Sequence, residues 1–148
     1  MNKSHLLGTA SVMTLAACTN MAVDGGANLT ATTPLDNFCN SQYVDCIDVS
    51  VSGGAINKIN DLSVGEPNHV ILWRMSPLTS SWSFPGNGIT FKGSPQPQSN
   101  EISCKVGAGG KLFFCVDRNT IHATYSYTVT LKDSAGNTIT LDPKIVNN

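Results

Sequence analysis

Tyr125-Ser126-Tyr127-Thr128-Val129-Thr130-Leu131-Lys132 alternates without a break. On an extended chain Tyr125, Tyr127, Val129 and Leu131 share one face, and Ser126, Thr128, Thr130 and Lys132 share the other. A period of two is the pattern of a strand with one face buried and one in water. Asp133-Ser134-Ala135-Gly136-Asn137 has the residues of a turn, and Thr138 to Leu141 reads as the return strand. Pro143 has no amide proton, so Lys144-Ile145-Val146 is expected as an edge piece.

The β pattern extends towards the N-terminus. His69 to Met75, after Pro67, is a near-continuous apolar run and is expected to be a central strand covered on both faces. Asp45 to Ser52 alternates in its second half, with Ile47, Val49 and Val51 on one face. Gly53-Gly54 turns the chain, and Ala55 to Val64 is a weaker strand. Asn87-Gly88 is a turn signal before Ile89-Thr90-Phe91-Lys92. Pro95 to Gln98 reads as an extended surface loop, and no stretch has the period of an amphipathic helix. About seven or eight short strands with turns between them predict an all-β sandwich or barrel.

Five cysteines stand in the chain of 148 residues. Setting Cys18 aside leaves Cys39, Cys46, Cys104 and Cys115, an even set that admits three pairings. Cys39–Cys46 with Cys104–Cys115 is favoured. The run from Cys104 to Cys115 is symmetric about Gly109-Gly110, which reads as a hairpin tip. With Ala108 to Lys111 as the loop, the two cysteines oppose each other at a non-hydrogen-bonded site, where side chains come closest. Neither pair has the short Cys-x-x-Cys spacing of structural zinc.

From Ala123 to Thr138 a Tyr-x-Val-x-Leu strand is followed by an Asp-x-x-Gly-Asn turn. This resembles the last hairpin of bacterial immunoglobulin-like modules. The resemblance implies an immunoglobulin-like, Greek-key sandwich over residues 38–148. It implies Tyr125 as the corner tyrosine at the start of the sixth strand and Trp73 as the buried tryptophan of the third. No cysteine follows the tyrosine at the antibody spacing, so the inter-sheet disulfide of antibody domains is not expected. A cupredoxin-like or other Greek-key sandwich would pattern similarly. The resemblance bears on architecture and not on function.

At the other end of the chain, Leu15-Ala16-Ala17-Cys18 resembles the lipobox of bacterial lipoproteins. Before it come one cation, Lys3, and an apolar run from Leu6 to Leu15, the layout of a secretory signal. That run is shorter than the about 20 residues a membrane helix needs. The resemblance implies removal of residues 1–17 and a diacylglycerol on Cys18, with acylation of the new N-terminus. Thr19, rather than Asp, follows the cysteine, which favours the outer membrane of a Gram-negative envelope. Residues 18–37 are rich in Ala, Thr, Asn and Gly and read as a flexible tether.

A net charge of -1 and the absence of a basic run disfavour nucleic-acid binding and headgroup attraction. A hydrophobic content of 41% suffices for one core. A blue-copper site would draw on Cys115, His69, His122 and Met75, but Cys115 is claimed by the hairpin bridge. No serine sits in a Gly-x-Ser-x-Gly elbow. Among Asp45, Asp48, Glu66, Glu101 and Asp117 nothing singles out a catalytic pair, and surface solvation is their expected role. No metal and no cofactor is therefore expected. Ser80 to Gly88 places Trp82 and Phe84 in a connection rich in Ser, Gly and Asn. Such a loop either offers stacking surfaces to a sugar or peptide, or plugs one end of the sandwich; a domain this small needs its aromatics inside. The expected role is a non-enzymatic binding or structural module for a protein or glycan at the envelope. A periplasmic immunity or inhibitor lipoprotein acting on a toxin or cell-wall hydrolase is the alternative, and an enzyme or copper protein a third reading.

Overall fold

A computed structural model describes residues 35–148. Cys18, the expected signal segment and most of the expected tether lie outside the described residues. The chain runs through helix α1 (Leu35–Cys39), then β1 (Val44–Val49), β2 (Val51–Ser52), β3 (Ala55–Ile56), β4 (Leu62–Val64) and β5 (His69–Met75). It continues through β6 (Ile89–Lys92), β7 (Ile102–Val106), β8 (Leu112–Asp117), β9 (Thr124–Lys132), β10 (Thr138–Leu141) and β11 (Lys144–Asn147).

The alternating segment forms β9, and its inward residues Tyr125, Tyr127, Val129 and Leu131 are all buried. β10 returns antiparallel, with Leu141 opposite Val129, and β11 follows in the same register, with Lys144 opposite Ser126. Pro143 stands between them, and the Tyr127 amide still donates to its carbonyl at 3.1 Å. Proline removes one bond of that rung and nothing more. This corrects the expectation of an edge piece: β11 lies inside its sheet, between β9 and a parallel β4. β6 pairs with the other side of β9.

The second sheet has the order β1-β5-β8-β7. β5 is interior to it, and residues 69–73 are buried without a gap, as in a strand covered on both faces. The two sheets take the ABED and CFG positions of an immunoglobulin-like Greek-key sandwich. β1, β5, β8 and β7 fill the first, and β6, β9 and the split strand β10–β11 fill the second. Strands outnumber the seven or eight expected because β2, β3 and β4 are short additions and Pro143 divides one strand in two. β1 departs from the antiparallel rule by running parallel to β5. The β2–β3 hairpin, with positive φ at both Gly53 and Gly54, turns the chain back between β1 and β4.

Trp73 is fully buried, but on β5, the second strand of the sandwich and not the third. It falls in phase with Ile71 and Met75, whose inward face carries it to the middle of the core. Its ring meets Tyr127 edge-on at 5.5 Å, and its Nε1–H donates to the Tyr127 hydroxyl at 3.3 Å. Burial pushes the Tyr127 phenol up to about 12.

Both favoured disulfides are present, Cys39–Cys46 and Cys104–Cys115. The Gly107 amide donates to the Leu112 carbonyl and closes the loop from Ala108 to Lys111. Bonded rungs alternate from there, so Cys104 and Cys115 oppose each other at a non-hydrogen-bonded site with Cα atoms 4.0 Å apart. The other bridge fastens α1 to β1. This five-residue helix begins at Leu35, ahead of the boundary expected at residue 38.

Candidate functional site

The connection from β5 to β6, residues 76–88, crosses one end of the sandwich and carries Leu78, Trp82 and Phe84. Its backbone is tied to both sheets. Ser83 and Lys132 exchange two amide bonds, at 2.9 and 2.8 Å, which join the loop to the end of β9. The Phe84 amide donates to the Gly110 carbonyl at 2.7 Å, at the tip of the cysteine hairpin. Beside it Lys111 Nζ donates to the carbonyls of Ser80, at 2.5 Å, and Trp82, at 2.6 Å.

Phe84 points inward. It is 3% exposed and packs on Phe113, with ring centroids 5.8 Å apart. Trp82 is half-buried against the core, and Leu78 is exposed. Phe84 therefore holds the loop down, while Leu78 is exposed and Trp82 only partly buried.

Gly110 makes the close approach of hairpin tip and loop possible. Its φ is +72°, and a Cβ there would lie 2.7 Å from the Phe84 carbonyl oxygen. Gly109 has φ +57°, but a Cβ there meets nothing within 4 Å. Both alanine variants incur about 1 kcal/mol or more of left-handed backbone strain. Gly110→Ala is expected to lose about 1–2 kcal/mol beyond Gly109→Ala, because backbone atoms must move apart. Urea denaturation midpoints of the two variants measure the difference.

At the opposite end the inward rows of the strands finish in polar residues. The β5 row ends at His69, the β8 row at Asp117 and the β11 row at Asn147, all buried. His69 and Asp117 are partners across the β5–β8 ladder, and His69 Nε2 lies 2.7 Å from Asp45 Oδ2. Asp117 Oδ1 accepts from the Asn119 amide at 2.9 Å and from Asn147 Nδ2 at 3.1 Å. Asn119 Nδ2 donates to the carbonyls of Val64 and Asn148 at 3.3 and 3.2 Å. Glu101, 3% exposed, accepts from the amides of Thr120 and Ile121 at 2.7 and 3.0 Å and from the Thr120 hydroxyl.

These neighbours push the two carboxyl groups apart. Burial raises Asp117 above the usual carboxylate range, against the bonds from Asn119 and Asn147, and the Glu101 charge adds to the rise. Burial acts upward on Glu101 too, but the Thr120 hydroxyl, the two amides and the Arg118 charge outweigh it and hold Glu101 low.

The surface solvation expected of the acidic residues is thus corrected for Glu101 and Asp117, which are buried and bonded to the fold. Asp48 and Glu66 are exposed, and Asp45 is half-buried. The signal for Asp117 was in the sequence, since it stands in phase with Phe113 and Cys115. Cys115 is bonded to Cys104 and offers no thiolate to a copper ion, and His122 is an exposed loop residue. Among the described residues no three His, Cys, Asp or Glu side chains form a group able to hold a metal. The Asp133 carboxylate accepts from the amides of Ala135 and Asn137 and from the Asn137 side chain, the bonding of a hairpin turn.

No protein-family model matches this chain, and no curated protein matches it in sequence.

Proposed function

We propose that the chain is a lipid-anchored protein of a bacterial cell envelope, a tethered module whose sandwich binds a protein or glycan partner and carries out no reaction. The observation that carries this reading is the connection over residues 76–88. It is fixed at its backbone by both sheets while Trp82 stays only partly buried. A rigid loop with an accessible aromatic gains stacking area on binding and loses little conformational freedom. The buried carboxyl groups at the other end accept hydrogen bonds from neighbouring strands and loops of the fold, which favours binding over catalysis. The lipobox-like Leu15-Ala16-Ala17-Cys18 supports the anchor, and two disulfides suit an oxidising compartment.

Intact mass spectrometry of the mature chain is expected to find Cys18 first, with acyl mass on it. A product that begins elsewhere or lacks that mass overturns the anchor. Trp82→Ala in the mature chain is expected to reduce capture of peptidoglycan or outer-membrane components at least tenfold while the domain stays folded. Unchanged capture overturns the loop as the binding face.

A further inference from the structure

Asp117 lies on β8 and Asn147 on β11, so their side chains meet between the two sheets. Asn147 Nδ2 donates to Asp117 Oδ1 at 3.1 Å. The remaining oxygens, Asp117 Oδ2 and Asn147 Oδ1, are both buried without a partner. If Asp117 were ionised, both would be acceptors deprived of water on adjoining side chains, a costly arrangement. A carboxylic acid and a primary amide have complementary edges. The acid carbonyl accepts an amide N–H, and the acid hydroxyl donates to the amide oxygen, closing a ring of two hydrogen bonds. One bond of that ring is in place, and the two atoms left over are those the second requires.

We propose that Asp117 is held as the neutral acid, its Oδ2–H donating to Asn147 Oδ1, and that this proton clasps the two sheets at the end of the sandwich remote from the Trp82 loop. The groups around it are His69 from β5, Glu101 ahead of β7, Arg118 after β8 and Tyr125 from β9. Asp45 of β1 stands behind His69, its Oδ2 2.7 Å from His69 Nε2. The Glu101 carboxylate favours the proton on Asp117, and His69 opposes it when charged. His69 Nδ1 and Asn119 Oδ1 are also unpartnered and lie outside the ring.

The clasp makes stability depend on pH in a stated direction. Asp117 binds its proton more tightly folded than unfolded, so its contribution is complete below the ordinary carboxylate range. It is lost as pH rises through the folded value. One proton limits the slope to a tenfold fall in the folding equilibrium constant per pH unit. Glu101 acts in the opposite sense, losing its contribution as pH falls, and it cancels when variant and wild type are compared.

The test is urea denaturation of the mature chain across pH, for wild type and Asp117→Asn. Asparagine keeps both hydrogen-bonding edges at every pH. The wild-type folding constant is expected to fall relative to the variant, by up to tenfold per pH unit, above the carboxylate range. A ratio that is constant, or that rises with pH, overturns the clasp. So does stabilisation by calcium of wild type but not of the variant, which would mean an ionised Asp117 holding a cation. If Asp117→Asn does not fold, carbon NMR of aspartate carboxyl groups in the wild type decides. One carboxyl titrating above the ordinary range is expected, and none doing so overturns the proposal.

Discussion

Phe84→Ala is expected to lower the unfolding free energy by about 3–5 kcal/mol, the cost of deleting a buried aromatic and leaving its cavity. The Phe84 ring packs on Phe113 in a tilted arrangement, and the Phe84 amide is bonded to Gly110. The void would open where the loop over residues 76–88 is fastened to the cysteine hairpin. Collapse of the site is hindered because Ser83 is held to Lys132 by two amide bonds. Trp82→Ala is expected to cost less, about 1–2 kcal/mol, since Trp82 keeps part of its surface in water when folded. Denaturant midpoints measure both. The two residues stand two apart in one loop and are expected to separate into a stability residue and a contact residue. Equal losses would place Trp82 in the core and remove it from the proposed binding face.

Removing the Cys104–Cys115 bridge by paired alanine substitution is expected to cost about 3 kcal/mol on the chain-entropy estimate for a loop of this size. For a domain of this length that corresponds to a fall in melting temperature of roughly 10–20 °C. The bridge ties β7, an edge strand, to β8 at a rung where no amide bonds connect the cysteines. Without it β7 keeps its pairing to β8 and the inward packing of Ile102. The expected result is therefore a destabilised fold and not a lost one. Thermal denaturation of the variant beside the wild type, both without reductant, measures it. A shift of only a degree or two would mean that the ladder alone holds β7 in place.

Neither of these losses, nor the clasp, has the same standing in the sequence. The hairpin from Cys104 to Cys115 was legible down to its loop, because both cysteines lie within one local turn and antiparallel register follows from loop length. Asp117 was half-legible. Its phase with Phe113 and Cys115 points it inward, but composition alone favours water for a carboxylate. Asn147, its partner, carried no signal, since it lies 30 residues further on in the opposite sheet. The loop residues Trp82 and Phe84 were legible as a candidate pair and not as opposites, because which of two aromatics turns inward depends on where Phe113 and Gly110 stand.

The chain by itself determined the strand at Tyr125–Lys132, its turn, the buried run His69–Met75 and the hairpin that sets Cys104 opposite Cys115. Each follows from side-chain period or from turn chemistry, and these act over a few residues. The tertiary structure decided sheet order. It put β11 inside its sheet despite Pro143, assigned Trp73 to the second strand, and ran β1 parallel to β5. It also brought Asp117 and Asn147 together. These features depend on which distant surfaces are buried against each other, and a period of two records which face of a strand is apolar without recording what covers it.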